Sequence, residues 1–461
     1  MTQIYKIAIL MLAGLHLTKT VIKTDLTVIF VVAVIVLLFG VIVMGQGFKK
    51  ITITFMILGV FVLTKFEQPF SAWVTALNSM TNVIAILVIM QMFTIPIEVG
   101  RYNLAIRYWF NKSFKGEGGL FLFTTVATHV FTSFLMLGAI PVVISLMEDT
   151  LKTRVSHYER FISTAISRGY VLASLWAPGA VNIALVVQAT GVSWSKLFFP
   201  GISLAIIGIV LSYFLETRLA FSAKGMRFTH SVDRQGERES LDREHRARHR
   251  AWHIIIVVVS LSTLTLLLAK LNLGSSSSPV ILAGAIVVLV WILQFRREPK
   301  LQATLWNYWD VGVLKAADIA PFFIAIGLFT SALEQSGVIN IFQGFLQNYA
   351  NSFGIFSIVL IPLVMICLAV LGIHPFISIV MFGQVLTALH LPVSDVTVAL
   401  CLALGASTSF MVSPFAGVIM AISKFVNVKT QDVALRWNWV FCLAFFSVGI
   451  MLAYFWGKIL G

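Results

Sequence analysis

Charge is scarce in this chain, and acidic charge scarcest. Of 461 residues only 11% are Asp, Glu, Lys or Arg, and 33 basic residues outnumber 19 acidic ones. Soluble globular domains carry about a quarter charged residues, so a soluble fold of this length is excluded. Cysteine is also sparse. Cys367, Cys401 and Cys442 are odd in number, lie in apolar runs and lack disulfide or metal spacing, which leaves three small buried residues. There is no phosphate-cradling glycine loop, no paired metal-ligand motif and no nucleophile elbow, so neither an enzyme nor a cofactor is expected. A repeated filter-like loop, the mark of a channel, is missing as well.

What the chain has is apolar length. Hydrophobic residues make up 59%, and runs long enough to span a bilayer recur at 26–44, 81–97, 198–215, 253–271 and 441–454. Residues 4–18 are apolar but short, carry Lys6 near their start and precede no convincing cleavage site. They read as a retained segment, interfacial or an extra span.

Charge placement suggests a topology. The polar stretch 216–250 ends in Arg-Glu-His-Arg-Ala-Arg-His-Arg at 243–250, and the positive-inside bias puts it in the cytoplasm. Its proximity to anionic headgroups suits a solvated connector; a folded basic face for nucleic acid is absent. Counting back, 198–215 enters from outside and 161–190 runs outward, so Lys152, Arg154 and Arg160 lie inside, as do Arg101, Arg107, Lys112 and Lys115. The apolar stretch 118–147 then starts and ends inside, as a re-entrant hairpin with His129–Ser133 near its tip. Counting forward, Arg296, Arg297 and Lys300 fall inside, the uncharged 337–352 outside, and a second hairpin, 355–389, opens outward. Each half has five crossings and one hairpin, and an odd number of crossings inverts the second copy.

The sequence repeats in agreement with this. His129-Val-Phe-Thr-Ser-Phe-Leu-Met-Leu-Gly and His374-Pro-Phe-Ile-Ser-Ile-Val-Met-Phe-Gly agree at five of ten positions. Phe93-Thr94-x-x-x-Glu98 faces Phe329-Thr330-x-x-x-Glu334, and Gly169 and Pro178 face Gly405 and Pro414, with 329 − 93 and 414 − 178 both equal to 236. Internal repeats in a polytopic membrane protein point to a transporter. The last block sits inside membrane-length segments, where proline and glycine break a helix. Such breaks are tolerated at membrane depth only beside protein or a water-filled cavity. Paired breaks in inverted halves mark a transport site, whose freed backbone groups and half-helix dipoles hold solute or ion.

At these residues the chain resembles the ion transporter superfamily of divalent-anion/sodium symporters, citrate carriers and arsenite permeases. Gly327-Leu-Phe-Thr-Ser-Ala-Leu-Glu334-Gln-Ser-Gly337 is similar to its Leu-Glu-x-x-Gly segment. The resemblance implies an elevator-type carrier whose hairpins and broken helices move solute past a fixed frame. The Ser-Asn-Thr hairpin signature of the sodium/dicarboxylate members is absent; the tips read His129-Val-Phe-Thr132-Ser133 and His374-Pro375-Phe-Ile-Ser378.

The expected fold is therefore all-α and polytopic: an N-terminal apolar segment (1–25), repeat 1 (26–215), a basic cytoplasmic loop (216–251) and an inverted repeat 2 (252–461), in the cell's inner (plasma) membrane and as a homodimer. The expected solute site, near the bilayer midplane, comprises His129, Thr132, Ser133, Trp176, Pro178, Gly179, Asn182, His374, Ser378, Ser413 and Pro414. Coupling falls to His129 and His374, which titrate near neutral pH, or to a sodium ion among Ser407, Thr408 and Ser409. The first half offers mainly Ser174 and Asn182, so proton-coupled or uncoupled transport of a small anionic solute is preferred. The paired histidines read equally as structural pins. Arg168, about 15 Å before Pro178 at helical rise, either attracts an anion or snorkels to the interface. Glu98, Glu334 and Asp318 (opposite Asn82) read as frame residues. A lipid flippase or a polytopic assembly factor is the alternative.

Overall fold

A computed structural model describes residues 2–19, 25–100, 102, 116–219, 237–271, 275–338, 347, 356–387, 389 and 391–460. Arg101, Arg107, Lys112, Lys115 and most of 337–352, invoked above for sidedness, lie outside them. Every regular element among the described residues is helical, and nine segments there are long and apolar enough to cross a membrane.

In chain order the helices are α1 (Thr2–Lys19), α2 (Leu26–Val43), α3 (Gln46–Lys65), α4 (Phe70–Asn78), α5 (Thr81–Met92), α6 (Thr94–Val99), α7 (Glu117–Leu135), α8 (Ala139–Arg154), α9 (Tyr158–Ala173), α10 (Val181–Thr190) and α11 (Trp194–Leu219). There follow α12 (Glu237–Ala269), α13 (Ser278–Gln294), α14 (Lys300–Asn307), α15 (Val313–Ala317), α16 (Ala320–Gln335), α17 (Ser357–Val370), α18 (Pro375–Thr387), α19 (Asp395–Val412), α20 (Gly417–Val426) and α21 (Trp439–Leu460). Most spans are apolar all round, because one side meets lipid and the other the protein. On α2, Val36 and Leu37 are buried while Leu38 and Ile42 are exposed. The Asp25 carboxylate caps α2 by accepting from the Thr27 amide at 2.9 Å, which holds its pKa below the usual carboxylate range.

The helices form two bodies. A frame consists of α1–α6 and α12–α16, and a hairpin body of α7–α11 and α17–α21; few contacts cross between them. Packing within and across the repeats is reciprocal. In the frame α3 lies on α16 and α13 on α5; in the hairpin body α10 lies on α18 and α20 on α8. The segment at 4–18 is part of α1, packed on α2 and α5, with Lys6 4% exposed and donating to the Asp310 carbonyl at 3.1 Å.

The 236-residue spacing recurs in the backbone. Half-helices α10 and α20 start at Val181 and Gly417 and end at left-handed Gly191 (φ 70°) and Asn427 (φ 59°). The hairpin turns fall at Met136 (φ 51°) and Gly372 (φ 98°). Each pair is 236 residues apart, by 417 − 181, 427 − 191 and 372 − 136. That spacing corrects the histidine block. His129 corresponds to Met365 (129 + 236), and His374 to Gly138 (374 − 236). The five identities between the blocks are out of register by nine residues, since 374 − 129 is 245. His129 therefore sits inside α7, not at the tip, while His374 directly follows its turn.

A second correction concerns the loop. Glu216 lies within α11 and is 1% exposed, and α12 begins at Glu237, so part of the basic stretch is helix rather than connector. Basic residues at 243–250 extend an apolar span whose own hydrogen bonds carry on the helix.

Candidate functional site: the crossing of two broken helices

Both breaks form where the sequence removes hydrogen bonds. Helix α9 ends at Ala173, and α10 starts at Val181 after the Trp-Ala-Pro-Gly-Ala stretch 176–180; α19 ends at Val412, and α20 starts after Ser-Pro-Phe-Ala at 413–416. Proline at 178 and 414 supplies no amide donor. In each repeat a hairpin arm crosses the broken helix at a glycine. A Cβ at Gly169 would lie 2.5 Å from the Thr125 carbonyl oxygen of α7, and one at Gly405 would lie 2.7 Å from Pro362 Cα of α17. Only a residue without Cβ allows the backbones to approach so closely. The glycine pair found in the sequence thus has one job twice.

Polar side chains from the two repeats meet where the broken helices cross. Asn182 Nδ2 of α10 donates to Ser407 Oγ of α19 at 3.1 Å and reaches Ser174 Oγ at 3.4 Å; the two serine oxygens are 3.4 Å apart. All three residues are buried. Ser174 also donates to the Val171 carbonyl at 2.7 Å, and Thr408 to the Leu404 carbonyl at 2.8 Å. Among the described residues Asn182 Oδ1 and Ser409 Oγ are buried without a hydrogen-bond partner, as are Thr132 Oγ1 on α7 and Ser378 Oγ on α18. Buried polar atoms are nearly always satisfied, so unpaired oxygens at or near the breaks suit a polar ligand.

The remaining candidates are tied down. Trp176, in the break itself, donates its indole N–H to His129 Nε2 at 2.9 Å, and its carbonyl accepts from Trp194 Nε1 at 2.9 Å. An indole only donates, so Nε2 must be unprotonated and His129 neutral in this state. Ser133 Oγ returns to the Val130 carbonyl at 2.7 Å, and Ser413 Oγ reaches the Ala369 carbonyl of α17 at 2.7 Å. Pro178, Gly179 and Pro414 are buried. His374 is separate: its Nδ1 accepts from the Phe376 amide at 3.3 Å, and its ring packs on Phe48, Phe376 and Phe410 at 4.7–5.6 Å between centroids. The expectation that the two histidines form an equivalent pair gives way to two different environments, the result of the register shift. Four cavities of 300–500 Å³ along the described helices are lined by residues other than the candidates.

Arg168 neither snorkels nor faces open space. It is 2% exposed; Nε donates to Asn438 Oδ1 at 3.0 Å, NH1 to Ser212 Oγ at 3.2 Å and NH2 to the Trp437 carbonyl at 3.0 Å. NH1 lies 3.0 Å from Glu216 Oε2, while Arg160 Nε bonds Glu216 Oε1 at 2.8 Å. Asn438 in turn donates to Ser167 Oγ at 2.9 Å. The network clamps α9 to α11 and to the start of α21, fixing the helix that leads into the break. Glu216, Ser212 and Asn438 were missed in the sequence. An arginine inside a membrane segment demands a partner at its depth, and Glu216, ending an apolar run, was the available carboxylate. Glu98 and Glu334 are exposed, and Asp318 Oδ1 accepts from the Gly45 amide at 2.7 Å, as frame residues should.

Among the described residues, two polar contacts join the bodies at the C-terminal end of α10: Asn82 Nδ2 donates to Gln188 Oε1 at 2.6 Å, and Ser276 Oγ approaches the Gly191 carbonyl at 3.5 Å.

No family model matches this sequence, and no curated protein matches it. Among solved structures, the chain is similar to the Alcanivorax borkumensis YdaH transporter, whose crystal structure is described as having an unusual topology. The match has a TM-score of 0.60 at 14% identity and covers 89% of this chain and 99% of that one. At that identity what the two chains share is the fold: a multi-pass, all-helical membrane architecture.

Proposed function

We propose that this protein is a secondary transporter that moves a small anionic solute by alternating access, with the Ser174–Asn182–Ser407 crossing as its solute and coupling site. The observation that carries the reading is that crossing: two helices broken at matching places meet in a buried Ser–Asn–Ser cluster whose Asn182 Oδ1 has no partner among the described residues. The YdaH transporter supplies the same architecture on a protein named as a transporter. Repeats of inverted topology would open the site to either side in turn, and the thin contact between frame and hairpin body suits an elevator-like movement. Such a movement has to break the Asn82–Gln188 bond.

Protons are the favoured coupling ion, with sodium second. His129 can accept a proton at Nε2 only by releasing Trp176, which links protonation to the break. Solute counterflow in vesicles reconstituted with the purified chain tests the function, using a panel of small carboxylates, sulfate and phosphate. Counterflow of one of them, lost in Asn182→Ala and Ser407→Ala by about tenfold or more, as expected when one polar contact worth about 1.4 kcal/mol is removed, is the expected result. Movement of a fluorescent lipid without counterflow would point to a flippase instead, and neither activity would end the reading. An imposed pH gradient that drives uptake without sodium supports proton coupling; strict sodium dependence reverses it.

A further inference from the structure

A cavity of about 500 Å³ opens where the C-terminal ends of α6 and α13 and the start of α14 meet α12 at Arg250, remote in sequence from both breaks. Its lining includes Gly100, Tyr102, Arg250, Phe295, Glu298 and Lys300. Its floor is built and saturated. Tyr102 is 2% exposed, its hydroxyl accepts from Trp291 Nε1 at 3.1 Å, and it is hydrogen-bonded to His253 Nδ1. Its rim is not saturated. Arg250 is half-buried and Lys300 exposed, and among the described residues neither has a carboxylate within ion-pair distance. Glu298 is the one acidic residue of the lining, so the rim keeps an excess of positive charge. Arg296 and Arg297, both exposed, adjoin it in sequence.

The surroundings say where an anion would come from. The apolar span of α12 begins at Trp252, two residues after Arg250, and α13 ends at Gln294 just before the cavity. The outer faces beneath it, at Trp252, Ile255, Ile256, Leu289 and Leu293, are exposed and apolar. A cationic pocket at a membrane interface, above exposed apolar helix faces, suits a phosphate with acyl chains trailing below. We propose that this cavity binds the phosphate of an anionic membrane lipid, held by Arg250 and Lys300 over the Tyr102 floor.

The test uses the full chain, purified in detergent and incubated with equal amounts of phosphatidylglycerol and phosphatidylcholine, with retained lipid read by native mass spectrometry. Phosphatidylglycerol should be retained preferentially. The double variant Arg250→Gln/Lys300→Gln should lower that retention about tenfold or more, as expected for two interfacial cations. Lys50→Gln, an exposed cation that does not line the cavity, should leave it unchanged, and Glu298→Gln should raise it. Competition by inorganic phosphate, seen in the parent chain and lost in the double variant, would keep the phosphate chemistry and assign a soluble source. Equal retention of both lipids, or retention that the double variant leaves intact while its size-exclusion profile matches the parent, would overturn the proposal.

Discussion

Removing the charge of Glu216 should cost far more than removing any exposed carboxylate of this chain. Arg168 and Glu216 are 2% and 1% exposed at the side chain, with NH1 and Oε2 3.0 Å apart. Deleting one member of such a pair leaves a buried charge without its counterion, at a cost of about 3–5 kcal/mol. Arg168 keeps three neutral acceptors, Asn438 Oδ1, Ser212 Oγ and the Trp437 carbonyl, so Glu216→Gln belongs at the lower end, about 3 kcal/mol. Glu148, paired with Lys152 at 2.6 Å but with both side chains more than a third exposed, provides the contrast; Glu148→Gln should cost about 0.5 kcal/mol or less. Denaturant or thermal unfolding in one detergent ranks the two. A third variant tests the reason. Arg168→Met/Glu216→Leu leaves no fully buried charge unpaired, only Arg160 with its side chain 28% exposed, so it should lose less stability than Glu216→Leu alone. Singles that simply add in the double, or Glu216→Gln no worse than Glu148→Gln, would refute the view that an uncompensated cation governs this site. Because Arg168 lies about 9 Å along α9 from Ser174 at helical rise, the surviving fraction of Glu216→Gln should also show slower uptake.

Three other outcomes follow from the same geometry. Trp176→Phe removes the only donor to His129 Nε2 among the described residues, so proton-driven uptake should move to higher pH, because protonation no longer has to break that bond; an unchanged pH profile would detach His129 from coupling. Gly169→Val and Gly405→Val should each destabilise by about 2 kcal/mol or more, because a Cβ would meet the Thr125 carbonyl oxygen at 2.5 Å or Pro362 Cα at 2.7 Å; tolerance at either position in a thermal melt would show that the hairpin arm moves away freely. Met136 holds φ 51° at the hairpin turn where the other repeat has Gly372, so Met136→Gly should stabilise the fold by about 1 kcal/mol, and a lowered melting temperature would contradict the strained turn.

Sequence alone determined the class of this protein. Apolar length fixes helices, because a backbone in lipid must satisfy its own hydrogen bonds. Helix breakers at 178 and 414, flanked by Ser and Asn, marked both breaks, and Asn182 and Ser407 do bond across the crossing. Such features are local in the chain or periodic, which is why they can be read without coordinates. Residue identity without register misled: the two histidine blocks share five residues yet stand nine positions out of step, and only the turns at Met136 and Gly372 set the true alignment. Partner choice was likewise a tertiary matter. Arg168 read as an anion attractor or a snorkelling residue because its carboxylate and amide partners are 48 and 270 residues away, by 216 − 168 and 438 − 168. Whether a buried polar group is satisfied depends on which helices pack together, and a periodic apolar pattern says that a face is buried without saying against what.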